Sequence, residues 1–458
     1  MKKRDAALEA TKNKLKRMQG GAEKEEAREQ KKSRAENRVE RRTRTVVVKP
    51  VRGHKFSELA IRLATVIHTN VGCGLRSVVR LLEIIDESFN GVFEGELPSH
   101  TEISNWAQKT GLSTYLGSGK ILSGKEYCEI IDESISVGSQ KLLVTLATAA
   151  GSSGHPLRYG DVDVLGLAVA PSWDGDAVEQ EITRCSEKAG HAPEYIVSDN
   201  GVNLAKGIRQ TGITHHRVIG HSIGLILEDA YKGQPDFEEF TSKLGSIRLK
   251  YHLTDMAYLL PPKQRAIARF MNLFDWVEWA GDMLNAGPKL NKEQRDAFAF
   301  MEEHTPLIEE LTTVMGCVRY IEQRCKRDGI SAETAKLCAW AASKLITGAG
   351  SNSRTIAVGS KIGLYLLGEA KKIGGKDKAH NISSDIIESL FGWWKTRKPT
   401  NKLCGVTTSV LNIASVGKLS TKEGRMSFDF KGKMESVRLV DIKEWRDLYL
   451  LDNWAVRR

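Results

Sequence analysis

The chain has seven cysteines (Cys73, Cys128, Cys185, Cys317, Cys325, Cys338 and Cys404), an odd number with no C-x-x-C pair. That pattern argues against a disulfide framework and against a structural zinc. It suits a reducing compartment, the cytoplasm of a bacterium or, in a eukaryote, the nucleus. No run of 18 or more apolar residues occurs, and no apolar stretch follows the basic start. Neither a membrane span nor a secretory signal is therefore expected. Internal repeats are also absent. Residues 1–50 have few large apolar residues, yet hold 17 Lys/Arg against 8 Asp/Glu. Such a segment cannot bury a core. It reads as a solvated basic arm, either a solubilising tail or an attractor of polyanions through counterion release.

What remains is ordinary for a globular protein: 458 residues, 41% hydrophobic and 27% charged. The length suits two to four domains. Of the net charge of +11, the arm supplies +9 and the rest of the chain +2. From Ser57 the apolar residues fall at helical spacing (Leu59, Ile61, Leu63, Val66, Ile67), break at "NVGCG", and resume at Leu75, Val78, Val79, Leu82 and Ile85. After Pro98, "SHTEISNWAQKTG" carries a capping box (Ser99, Glu102), an apolar face (Ile103, Trp106, Ala107) and Gly111 at the expected stop. The opposite face offers Thr101, Ser104, Asn105, Gln108 and Lys109. Short polar groups of this kind suit base edges and phosphates when a second helix lies in a major groove. A small bundle with a solvated face would show the same pattern. The segment resembles the helix-turn-helix of bacterial transposases, which implies DNA binding by residues 51–117.

The period then changes. "YCEIIDESISV" (127–137), "KLLVTLATAA" (141–150) and "DVDVLGLAVA" (161–170) read as a meander of three strands. A helix closed by Gly190 follows, then "YIVSDNG" (195–201) as a fourth strand, a second helix, "THHRVIG" as a fifth strand, and a further helix. Strands alternating with helices after a meander imply a mixed α/β sheet covered on both faces. Asp132 falls inside the first strand among Ile130, Ile131 and Ile135, where a charge is costly unless paired or bound to metal. Asp199 ends the fourth. By itself Asp199 also fits a loop carboxylate capping the next helix. If strands one and four are neighbours, both acids reach one cation, and hard carboxylates suit Mg²⁺ or Mn²⁺.

Residues 236–378 are almost entirely helical in pattern. After "KKIGGKDKAHN" comes "ISSDIIESLFGWWKTRK", with Ile387, Leu390 and Phe391 as a packing face and Glu388 beside it. Asp385 with Glu388 at i+3 also fits a capping arrangement, and Asp385 is the alternative ligand one turn earlier. Asp132, Asp199 and Glu388 in this order resemble the Asp-Asp-Glu set of transposases with an RNase H-like core. The interval of 189 residues before Glu388 suits those members with an inserted domain. "HRVIGHSIGLILED" resembles the R-x-x-C-x-x-H-x-L-N-L stretch of hAT-type transposases, without its cysteine. Lys395, seven after Glu388, matches the lysine of the Tyr-Arg-Glu-Lys signature of bacterial cut-and-paste transposases, but Asn381 and Ser384 replace the Tyr and Arg.

The resemblance implies a DNA transposase in which Asp132, Asp199 and Glu388 hold two ions, Mg²⁺ or Mn²⁺, about 3.5–4 Å apart for in-line phosphoryl displacement. It implies double-stranded DNA (element ends and target) as partner and at least a homodimer on it. His221 is then a candidate DNA-phosphate contact or simply a helix cap. Lys395 is a phosphate contact or a solvated helix end. Trp276, Trp279 and Trp340 read as core or interface residues, with base stacking as the alternative. The expected domains are the arm (1–50), the helix-turn-helix (51–117), the core (118–235 and 379–416), an all-α insertion (236–378) and a C-terminal extension (417–458). A non-catalytic DNA-binding protein derived from a transposase and a stand-alone nuclease are the rival readings. "GSGKI" (117–121) is rejected as a phosphate loop, since Thr114 and Ile121 replace the required Gly and Ser/Thr. His215 and His216 point to opposite faces of a strand and do not read as a zinc set.

Overall fold

A computed structural model of the chain describes residues 51, 53–93, 96–263, 270, 273–375, 378–397 and 405–452. The basic arm and Cys404 lie outside them. Three helices come first: α1 (Glu58–Val66), running into a π-helical turn at Ile67–Val71, then α2 (Leu75–Ser88) and α3 (His100–Leu122). Ser57 caps α1, and Ser99 with Glu102 forms the expected capping box on α3. Ile61, Ala64, Val78, Leu82, Ile103 and Trp106 close a core between them.

Gly111 does not end α3. The helix runs 23 residues, through the expected boundary at 117, because Gly111 serves a close approach instead. A Cβ there would lie 2.3 Å from the Leu411 carbonyl oxygen. Gly119 does the same against the Lys188 carbonyl, where a Cβ would lie at 2.0 Å, so "GSGKI" is a helical packing surface.

The sheet follows. β1 (Tyr127–Val137), β2 (Gln140–Ala149) and β3 (Asp163–Ala170) form the antiparallel meander; β4 (Tyr195–Ser198) pairs parallel to β1, and β5 (Thr214–Arg217) parallel to β4. The order is β3-β2-β1-β4-β5, which makes β1 and β4 neighbours. Helices α4 (Gly175–Ala189) and α5 (Val202–Thr211) supply the crossovers and cover one face, over Ile131, Leu143 and Ile196. Strand alternation sends Ile130, Val144 and Val197 to the other face.

Next come α6 (Ile219–Tyr231), α7 (Pro235–Tyr251), α8 (Leu273–Ala286), α9 (Lys292–Phe298), α10 (Phe300–Glu303), α11 (Thr305–Asp328), α12 (Ala332–Thr347) and α13 (Ser353–Lys371). They share one apolar core that begins at Ile219, so the helical unit includes α6 and starts earlier than residue 236. Trp276 is fully buried in it and Trp279 is half-buried, bonding Leu259 O at 3.0 Å. Trp340 is 63% exposed, with Lys344 over its ring, and is no core residue.

Helix α14 (Asp385–Lys395) returns to the sheet. Its Ile386, Ile387, Leu390, Phe391 and Trp394 pack on the face carrying Ile130 and Val197. Helices α15 (Asn412–Ser420), α16 (Lys422–Ser427), α17 (Phe430–Ser436) and α18 (Leu439–Tyr449) end the described chain. They are not an appendage. Met434 joins the core of the N-terminal helices, and Ile442 and Trp445 join that of the sheet. Among the described residues no helix is long and apolar enough to cross a membrane.

Candidate functional site

The register of β1 against β4 sets the two aspartates. Ile130 pairs with Val197 and Ile131 with Ser198. One step further along each strand stand Asp132 and Asp199. In-register parallel neighbours project to the same side of a sheet, here the side of Ile130 and Val197. Regular pairing of β1 with β2 holds to Asp132–Val144, after which a bulge shifts the register before Ile135. Bulges of this kind re-aim side chains at strand ends. Asp132 is 8% exposed and Asp199 is half-buried. One Asp199 oxygen, Oδ1, accepts from the Gly201 N–H at 2.8 Å and so steadies the turn into α5.

Glu388 comes from the first turns of α14, whose apolar face lies on the same side of the sheet. The capping arrangement between Asp385 and Glu388 does not form. Ser384 holds the cap position, Asp385 pairs with Lys326 of α11 at 2.8 Å, and Glu388 reaches out toward His221. His221 Nε2 stands 3.5 Å from Glu388 Oε1. Its pKa is raised, first by that contact and also by the charges of Asp199 and Asp132, against the opposing effect of burial. The imidazole of His221 thus lies within the field of all three acids. It sits in the first turn of α6, beside Gly220. A cavity of about 350 Å³ begins there, with His221, Glu322, Lys326, Asp385 and Glu388 along its polar side and Leu227, Phe274 and Val318 along its apolar side.

Among the described residues, no three His, Cys, Asp or Glu side chains are drawn together tightly enough to hold a metal ion in this conformation. The donor chemistry itself, one carboxylate within β1, one just past the end of the neighbouring β4 and a third on a helix over the same face, fits a hard divalent cation.

The other candidates fare differently. Lys395 is exposed, two turns beyond Glu388 on the same helix. On α3, Thr101 is exposed, while Ser104, Asn105 and Gln108 are half-buried, Gln108 donating to Ser104 Oγ at 3.0 Å. Lys109 is only 8% exposed and its ammonium donates to His54 Nε2 at 3.2 Å. It is withdrawn from the outer face because α17 and α18 fold back over that end of α3.

Two buried groups escaped the reading of the sequence. Glu129, three residues before Asp132, has no exposure at all and lies on the opposite face of β1. Burial, then the neighbouring Glu181, pushes its carboxyl up to about 8. The same rule that singled out Asp132, a charge inside a strand, applies more strongly to Glu129, which is accommodated as a neutral acid. The second is a histidine relay. His216 Nδ1 meets Glu369 of α13 at 2.8 Å and its Nε2 meets His380 Nδ1 at 2.9 Å, with His380 stacked on Tyr195 at 4.0 Å. This fastens the helical unit to β5 beside the site. His215, on the other face, bonds Ser198 Oγ at 2.9 Å.

No protein-family model matches this chain, and no curated protein matches it either.

Proposed function

We propose that the chain is a DNA transposase of the Asp-Asp-Glu type, that its sheet with the order β3-β2-β1-β4-β5 is an RNase H-like core, and that α1–α3 are a helix-turn-helix DNA-binding unit. One observation carries the reading. Three acids separated by 67 and 189 residues in sequence converge on one face of the sheet, two by strand register and one by helix packing, and His221 lies in the field of all three.

The divisions of labour follow from the environments. Asp132, the most buried of the three, is the fixed member, paired with Val144 of β2 and one step past the last β1–β4 pair, Ile131–Ser198. Asp199 is oriented by its turn. Glu388, exposed on α14, is the member that can swing. Bound Mg²⁺ or Mn²⁺, two ions held by these acids, would activate the attacking oxygen and stabilise the leaving one. His221, 3.5 Å from Glu388 and raised in pKa by it and by the two aspartates, is the basic partner that a bound cation would replace beside these carboxylates. Lys395 would contact a phosphate further along the same helix, Thr101, Ser104 and Gln108 would face the DNA, and joining two element ends calls for at least a dimer. The basic arm adds sequence-independent attraction.

The test uses duplexes bearing the sequences that flank the coding region, incubated with the full chain in Mg²⁺. Strand cleavage is expected, and Glu388→Gln should abolish it while Asp385→Asn reduces it only partly. The reverse pattern would move the third acid to Asp385. Binding without cleavage under all conditions would favour the non-catalytic DNA-binding protein, and cleavage without joining the nuclease.

A further inference from the structure

We propose that the groove between α3 and the α17–α18 segment is a binding site for a phosphate group, separate from the acids on the sheet and independent of their reading. The groove has a volume of about 880 Å³ and is lined by His54, Glu102, Asn105, Lys109, Glu435 and Arg438, among others. Lys109 is the reason to expect an anion. Its side chain is 8% exposed, yet its one hydrogen-bond partner among the described residues is a neutral acceptor, His54 Nε2 at 3.2 Å. Accepting that bond fixes His54 as an unprotonated imidazole at Nε2. Asp441 acts on Lys109 only through space and is itself engaged by Arg438 at 3.1 Å. Glu102, which also lines the groove, turns one oxygen, Oε2, to the Ser99 N–H at 2.7 Å. An ammonium taken out of water without a carboxylate beside it is costly, and a ligand that brings negative charge removes the cost.

The donors around that charge define the ligand class. Lys109 offers a point charge, Arg438 the guanidinium N–H groups that its 3.1 Å bond to Asp441 leaves over, and Asn105 a neutral amide, a set that suits a tetrahedral anion with several acceptor oxygens. The walls mix these polar groups with Met434, Val437 and Leu439, and the aromatic floor, Phe56 and Trp106, is covered to 4% and 2% exposure, so no stacking partner is presented. The recognised feature is the phosphate itself, free, on a small molecule, or in a DNA backbone.

The experiment titrates the full-length chain with inorganic phosphate by calorimetry. The wild type should bind with a dissociation constant of about 1 mM or tighter, and Lys109→Met should weaken it about tenfold or more. Should Lys109→Met fail to fold, Arg438→Gln alters a side chain that is 78% exposed, and a loss of about threefold is expected there. A second arm measures binding of a labelled duplex. Competition by phosphate, with weaker duplex binding in Lys109→Met, identifies the DNA backbone as the source; an unchanged duplex affinity identifies a free phosphate ligand. If the wild type takes up no phosphate at about 10 mM, or if both variants bind as well as the wild type, the proposal is overturned.

Discussion

Replacing Asp199 by Asn separates the two roles that this residue can have. In the structure Oδ1 accepts from the Gly201 N–H at 2.8 Å. The amide oxygen of asparagine can accept the same bond, so the turn into α5 survives and folding stability should change by about 0.5 kcal/mol or less. Asp199→Ala loses that bond and should cost about 1 kcal/mol, the size of a lost helix-start contact. The chemistry should respond in a different order. Under the proposed function, asparagine removes one full negative charge from the set of three acids that would hold the dications. Losing even an outer partner of a metal ligand costs about 10–100-fold, so losing a ligand should lower cleavage by about 100-fold or more. His221 provides a third reading. Asp199 is one of the charges raising its pKa, and without it the value should fall toward the ordinary histidine range, visible in the ring-proton shifts on pH titration. The assays are thermal unfolding, that titration, and cleavage of labelled duplexes in Mg²⁺ or Mn²⁺. An Asn variant that unfolds like the Ala variant would make Asp199 a turn residue. One that folds and cuts as fast as the parent would place the ion site elsewhere.

Three further outcomes are expected. Glu129 is raised to about 8 against an ordinary 4.5, so the folded chain holds a proton that the unfolded chain has released between those values; stability contributed by that proton is complete below pH 4.5 and is lost as pH rises toward 8. At pH 7 this amounts to about 3 kcal/mol, and Glu129→Gln should recover about 2 kcal/mol of it and flatten the dependence of the melting temperature on pH; an unaltered slope would mean Glu129 is ionised in the fold. Gly111→Ala should destabilise by about 1–3 kcal/mol, since its Cβ would meet the Leu411 carbonyl oxygen at 2.3 Å, a backbone atom that cannot step aside alone; unchanged chemical denaturation would show that α3 and α15 can slide apart freely. Removing residues 1–45 should leave the melting temperature in place while weakening duplex binding and reducing its salt slope, and identical slopes would reduce the arm to a solubilising tail.

Much of this architecture was legible in the residues. The meander and the strand–helix alternation follow from a switch between periods of two and 3.6, a local property, and the Ser99–Glu102 box and Gly190 mark helix ends by local chemistry alone. Asp132 and Asp199 stood out for the same reason, as carboxylates in apolar strands. Other features depended on contacts between distant segments. Gly111 looks like a stop until Leu411 is placed against it. Glu129 and Asp132 are both buried strand carboxylates, and only the three-dimensional packing seals one beside Glu181 and sets the other on the face that receives Glu388. Lys109 belongs to a polar helix face until α17 and α18, more than 300 residues on, fold over it. Sequence spacing fixes which side chains share a face of one element. Which faces meet is settled by the packing of whole elements, and it is there that Glu388 was directed to His221 and Asp385 to Lys326.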